Sequence, residues 1–310
     1  MKETDVLVIG RSCLDYIAIV DNFPEENQKV PLVSKLTEGG GQGSTASCCI
    51  SRLGGRVAYI GKLGDDETGG ICLKRLQEFG VNTDWVEIVV NGKTPVAYAF
   101  VTKSTGNRTI IYEHHTLPKI RLNRSLKNLL AQTRIVLLDP EVTYLGKAIK
   151  AVVNDGVKIV YDCERWRNGI EDMMAVADFF IPSSDFLNSN KSGLENLPLP
   201  QKILKLKETI NGELIVTRGA EGAYYISQDR LYHIAAPEVD VRDTIGAGDN
   251  FHAAFALAVS KEFVLPDAVK FSVAVASLSC RQYGGREGIP NWKEAIGIAE
   301  KLDEKLMDLG

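Results

Sequence analysis

The stretch Asp243-Thr244-Ile245-Gly246-Ala247-Gly248-Asp249-Asn250-Phe251-His252-Ala253-Ala254 constrains this chain more than any other. Gly246, Ala247 and Gly248 leave their backbone N–H groups bare of bulky side chains, and Phe251, Ala253, Ala254, Phe255, Leu257 and Ala258 read as a buried helix opening directly after them. A glycine turn feeding a helix N-terminus is an anion site, because free N–H donors and the positive end of the helix dipole both favour phosphate. Asp249 stands at its mouth, where a carboxylate can take a proton from a hydroxyl attacking a bound phosphoryl group. The plainer reading of Asp249 is an N-cap. A cap needs neither the Gly-Ala-Gly before it nor the Asp243-Thr244 pair upstream.

Asp-Thr-x-Gly-Ala-Gly-Asp-x-Phe-x-x-Ala resembles the C-terminal signature of the ribokinase/PfkB carbohydrate kinases. The resemblance implies that Asp249 is the catalytic base and that Gly246, Ala247 and Gly248 form an anion hole. It implies a ribokinase-like three-layer α/β/α fold with a mostly parallel sheet and a small β-sheet lid. The chain is then one kinase domain over residues 1–310, with lid strands at about 28–38 and 94–112 inserted in it.

Composition agrees with that scale. A chain of 310 residues with 45% hydrophobic content can bury a large core, and a net charge of −4 carries no basic footprint for nucleic acid. No run approaches the length of a membrane span, and the start of the chain reads as a strand without a signal-peptide pattern, so a cytoplasmic location is expected. Cys13, Cys48, Cys49, Cys72, Cys163 and Cys280 are scattered without CxxC or Cys/His ligand spacing and read as reduced, mostly buried thiols.

Asp5 to Gly10 is a continuous apolar strand, and Asp15 follows just beyond its carboxyl end, where ligands of open α/β sheets bind. Gly41-x-Gly43-x-x-Ala46 fits a dinucleotide fingerprint, but the segment before it is a poor buried strand and Arg56–Gly61 ends without an acid. By resemblance, Gly40 and Gly41 with Gln42 are instead the family's sugar-contacting motif. Thr45 stands where the family usually has Asn, which exchanges a paired donor and acceptor for one hydroxyl. The acids of Gly64-Asp65-Asp66 cap the next helix, which ends at Gly80. Thr94–Thr102, a turn at 104–107 and Arg108–Tyr112 form a hairpin that interrupts the α/β rhythm.

By resemblance to the ketohexokinase branch, Arg108 reaches the sugar; on its own it is a solvated hairpin charge. Beyond it, helices at 123–131, 144–153 and 171–176 alternate with strands at 135–139, 157–162 and 178–181, which argues for parallel right-handed crossovers. The Asn-x-x-Glu motif that many members carry near Pro182 is missing, so magnesium is expected on nucleotide phosphates and water, and no metal ligands are assigned. Thr217, Gly219 and Gly222 resemble the family's nucleotide loop, joined by Thr244. Gly285, in the glycine loop 284–290, closes over adenine or helps hold a monovalent cation such as K+. His252 is read as packing, and His114-His115 as lid surface.

The resemblance therefore implies an ATP- and Mg2+-dependent kinase of a primary sugar hydroxyl, fructose-like or a derivative, dimeric through its lid. Lys29 on the lid suits an anionic substrate group, whereas Tyr112 and Glu141 stand where a sulfosugar kinase would carry Asn and Arg. A nucleoside kinase and a sugar-binding regulator without turnover are the alternatives.

Overall fold

The computed structural model describes residues 4–307 apart from positions 115, 155, 190, 192 and 195, so the second histidine of the 114–115 pair lies outside the described residues. The chain runs β1 (Thr4–Ile9), β2 (Cys13–Val20), β3 (Ser34–Gly40), α1 (Gln42–Arg52), β4 (Val57–Ile60), β5 (Lys62–Gly64), α2 (Glu67–Glu78), β6 (Glu87–Val89), β7 (Val96–Thr102) and β8 (Arg108–Tyr112). It continues through α3 (Arg124–Gln132), β9 (Thr133–Leu138), α4 (Gly146–Lys150), β10 (Lys158–Cys163), α5 (Ile170–Val176), β11 (Phe179–Pro182), α6 (Ser184–Leu187) and α7 (Leu199–Lys207). The last part holds β12 (Glu213–Thr217), β13 (Ala223–Ser227), β14 (Arg230–Ile234), α8 (Ala247–Ser260), α9 (Leu265–Ser279), α10 (Trp292–Ala299) and β15 (Glu304–Leu306).

Among the described residues the main sheet has nine strands in the order β15-β14-β13-β12-β11-β10-β9-β1-β4. It is parallel from β4 to β12 and antiparallel beyond. The parallel strands are apolar on both faces because both are covered by helices. Val6 and Val8 of β1 point into a core shared with Phe255, Leu257 and Phe271 of α8 and α9. Leu7 and Ile9 point the other way, into a core with Leu130, Ile149, Met173 and Ile203. All six cysteines are free and buried.

The lid is a separate four-stranded sheet in the order β3-β2-β7-β8. Its first strand differs from the expectation: residues 28–33 are irregular, and pairing starts at Ser34 and continues to Gly40. Its second strand, β2, begins where the sequence shows only the position just beyond the carboxyl end of β1. Asp15 therefore lies within a strand, paired with Glu38 on one side and Ala97 on the other, and Ala97 in turn pairs with Tyr112. With side chains alternating across a strand, Glu38, Asp15 and Tyr112 line one row of a single lid face.

Two helices also start elsewhere. The helix expected at 144–153 is a 3-10 turn over Pro140–Leu145 followed by α4, because Pro140 and the Asp139 side chain, which accepts from the Glu141 amide, set a tight first turn. The helix after the Asp249 turn begins earlier than Phe251, at Ala247, so the glycine turn is itself the first helical turn. Asp66 caps α2 as expected, accepting from the Gly69 amide at 2.8 Å. No helix among the described residues is long and apolar enough to cross a membrane.

Candidate active site

Gly246 caps α8 in the left-handed region (φ 72°), and a methyl there would press on Gly285. Ala247, Gly248 and Asp249 occupy the first turn, and of the described groups none accepts from the Gly248 and Asp249 amides, so both donors face outward. Nothing lies within 4 Å of where a Gly248 side chain would begin. Asp243 holds this turn in place: one oxygen accepts from the Ile245 amide and the other from the Gly284 amide, each at 2.9 Å. The Asn250 amide donates to the Gly285 carbonyl at 3.0 Å, so the turn and the glycine loop 284–288 form one block.

Asp249 lies among acids at the carboxyl ends of the parallel strands. Burial pushes its carboxyl well above the ordinary value, and the charges of Asp162, Glu164 and Asp139 push it the same way, against His252. Asp162 is itself buried and raised, first by burial and then by Glu164 and Asp139. His252 does more than pack. Its Nδ1 lies 2.6 Å from the Gly248 carbonyl, and its Nε2 lies 3.2 Å from the Ile181 carbonyl and 3.5 Å from Asp162. Burial lowers its pKa, the two carbonyls act against that, and the ring fills the space between the 246–249 turn and the end of β11.

A second group of residues faces it. Gly40 ends β3 directly against the Asp15 carboxylate, where any side chain would collide. Gly41 has φ 91° and lies on the Arg11 carbonyl. Asp15 accepts from the Cys13 thiol at 3.1 Å; burial raises its pKa, while that bond and the charges of Arg286 and Arg11 lower it. Asp139 at the end of β9 accepts from the amides of Arg11, Gly43 and Glu141 and so joins β1, α1 and β9 at one point. Gln42 opens α1 beside them.

Arg286, only 1% exposed, links the two groups. Its guanidinium donates to the Gly40 carbonyl at 3.3 Å, to Ser44 at 2.7 Å and to the Thr45 hydroxyl at 3.4 Å. Glu38, pushed up to about 7 by burial, is also within the field of Arg286. Gly285 is wedged between Gly246 and Thr45.

The remaining sequence candidates divide. Arg108 donates to Thr244 at 2.9 Å, and Thr244 donates to the Gly106 carbonyl at 3.3 Å, so this pair fastens the hairpin of β7 and β8 to the 243–249 turn. Thr217 ends β12, and Gly219 (φ 52°) opens to free space, whereas Gly222 is required by packing, since a side chain would strike the Ile234 carbonyl. Lys29 is exposed in the irregular segment before β3 and makes no hydrogen bond or ion pair with these residues. Asp139, Asp162, Arg11 and Arg286 were not singled out from sequence. The first two carry a usable signal, an acid closing a buried apolar strand.

The pfkB family carbohydrate kinase profile matches residues 3–292. Among relatives, ribokinase of Bacillus subtilis is 26% identical over 94% of this chain and 97% of its own length. Mouse ketohexokinase is 25% identical over 92% of this chain and 98% of its own. Arabidopsis thaliana ribokinase, solved with ribose and ATP, superposes with a TM-score of 0.79 at 24% identity, covering 96% of this chain and 99% of that one.

Proposed function

This chain belongs to the pfkB family of carbohydrate kinases, and its fold is ribokinase-like, so it is a phosphotransferase with a sugar hydroxyl as acceptor. We propose, more narrowly, that it transfers the γ-phosphoryl group of ATP to a primary hydroxyl of a fructose-like ketohexose or a derivative of one. The observation that carries this is the juxtaposition of a raised Asp249 carboxyl with two outward-facing amides on the same helical turn.

In this reading Asp249 accepts the proton of the attacking hydroxyl, the oxygen displaces ADP in line, and the amides of Ala247, Gly248 and Asp249 stabilise the charge on the transferring group. Asp15, with Gly40 and Gly41 behind it, holds the hydroxyls of the sugar. Thr217 and Gly219 take the nucleotide side, where Gly219 leaves open space for a ligand to approach the backbone. No group of three His, Cys, Asp or Glu able to hold a metal ion occurs among the described residues, and magnesium enters on the nucleotide phosphates and water. The Gly285 carbonyl accepts from Asn250 and keeps a second lone pair, so the glycine loop 284–290 stays a candidate for a monovalent cation.

The lid's outer face, with Tyr16, Tyr98 and Ile111 41%, 48% and 60% exposed in register, suits a homodimer contact. The kinase reading is tested by ADP release with magnesium-ATP across ketoses, aldoses, sugar acids and nucleosides. A ketohexose or a derivative should respond best. Asp249→Asn should lower kcat by about 10²- to 10⁴-fold with ATP binding retained, and turnover equal to the parent would overturn Asp249 as the base. A nucleoside as the best substrate would overturn the sugar assignment.

A further inference from the structure

Beside the Asp15 group lies a cavity of about 240 Å³, bounded by Gly10 and Arg11 after β1, Lys62, the 117–120 segment and the 141–144 turn. Its basic side chains are held in an uncommon way. The Arg11 guanidinium stands over the Tyr112 ring at 5.4 Å and the Lys119 ammonium over the Tyr144 ring at 4.7 Å. Neither makes an ion pair with a carboxylate of the described residues, whereas Lys62 is paired with Glu87 at 2.9 Å. The carboxylate lining the cavity, Glu141, is engaged by Arg167 at 2.8 Å. Arg11 shares one hydrogen bond with the Cys13 side chain and feels Glu141 and, behind it, Asp139, but Glu141 is engaged by Arg167 and Asp139 is shared among three backbone amides, so the rest of its donors stay available. A cation on an aromatic face keeps its hydrogen-bond donors free for a ligand.

Arg11 joins the cavity to the Gly40-Gly41 segment, since its carbonyl accepts from the Ser44 amide and lies against Gly41. Resting on the sugar-kinase reading above, we infer that the substrate carries an anionic group, a carboxylate, sulfonate or phosphate, away from the hydroxyl that is phosphorylated, and that Arg11 and Lys119 receive it. Lys29, the anion reader expected from sequence, does not line this cavity. Tyr112 acts here as a platform for Arg11, and Glu141 is neutralised by Arg167. The Asn and Arg expected at these positions in a sulfosugar kinase are thus not the only arrangement that can receive an anion.

The test compares kcat/KM for matched pairs: fructose against fructose 6-phosphate and sulfofructose, and glucose against gluconate. At least one anionic member should exceed its neutral partner tenfold or more, a difference of about 1.4 kcal/mol. That ratio should fall about tenfold in Arg11→Met and severalfold in Lys119→Met, whose exposed side chain can be replaced without disturbing the core. Neutral sugars turned over as well as every anionic partner would overturn the inference and leave the kinase reading standing. ADP release with no sugar, sugar acid or nucleoside would overturn the kinase reading instead. Thermal shifts with the same ligands and MgADP would then decide the inference: stabilisation by the anionic members, lost in Lys119→Met, supports it, and equal shifts for both members overturn it.

Discussion

The two ends of the cleft are built on opposite principles. At the proposed transfer end, acids are crowded together: Asp249 stands among Asp162, Glu164 and Asp139, and the donors are backbone amides fixed by a helix. At the recognition end, charge is positive and carried by side chains, with Arg11 and Lys119 on aromatic faces. Crowding by acids raises the pKa of a base, which strengthens it as a proton acceptor, and fixed amides meet developing charge without reorganisation. Side chains on rings can adapt to different acceptors. The contrast indicates that the reaction is set by a part of the molecule with little freedom and the substrate by a part with more.

Glycines break the comparison most directly. In Gly40→Ala the new methyl meets the Asp15 carboxylate, so kcat/KM for sugar should fall on the order of 10²-fold while nucleotide affinity is kept. Gly248→Ala has open space around its methyl, so the fold should be unchanged or up to about 1 kcal/mol more stable, helix propensity favouring alanine. Its loss should appear in kcat, because that space belongs to the transferring group. Equal thermal stability of the two variants with loss in the same kinetic parameter would show that the ends are not separate.

Next in size is the acid limb of the pH profile. The Asp249 carboxyl is raised, so the base form is absent below its folded pKa and kcat falls as pH drops through it. Asp162→Asn removes the neighbouring charge that does most to hold it up, and the limb should move to lower pH, with about a tenfold gain relative to the parent at its acid end. The two carboxyls titrate as a pair, so the shift belongs to the pair. A limb that stays in place would show that burial alone sets the base.

The same contrast explains what was legible in the sequence. The transfer end is one continuous stretch, so Asp243 to Ala254 could be read whole, and the parallel strands announced themselves by apolar runs. The recognition end is assembled from β1, β2, β8 and the 117–120 and 141–144 segments. No local pattern marks Arg11, which is followed by polar and apolar residues alike. β2 was missed because Cys13-Leu14-Asp15-Tyr16 follows β1 after three residues, Gly10 to Ser12, and reads as its exit loop. Arg286 sits in a glycine loop that carries no local signal of burial; only the packing of that loop onto Gly40 and Ser44 shows it buried. The Arg286 partner of Thr45 lies 241 residues away, so no local pattern shows it.

The smallest effect is expected where the two ends are fastened together. Arg108 is exposed and its hydrogen bond to Thr244 is the side-chain link from the lid hairpin to the catalytic turn, so it bears on how long the lid stays closed more than on folding. An exposed polar contact of this kind is worth roughly 0.5–1.5 kcal/mol. Arg108→Ala should therefore leave the Tm within about 2 °C of the parent and raise KM for sugar severalfold, with kcat little changed. If Arg108 instead binds the sugar directly, KM should rise tenfold or more and Thr244→Val should have no comparable effect. If it is a latch, Thr244→Val should reproduce the severalfold change, and the double variant should add little to either single one.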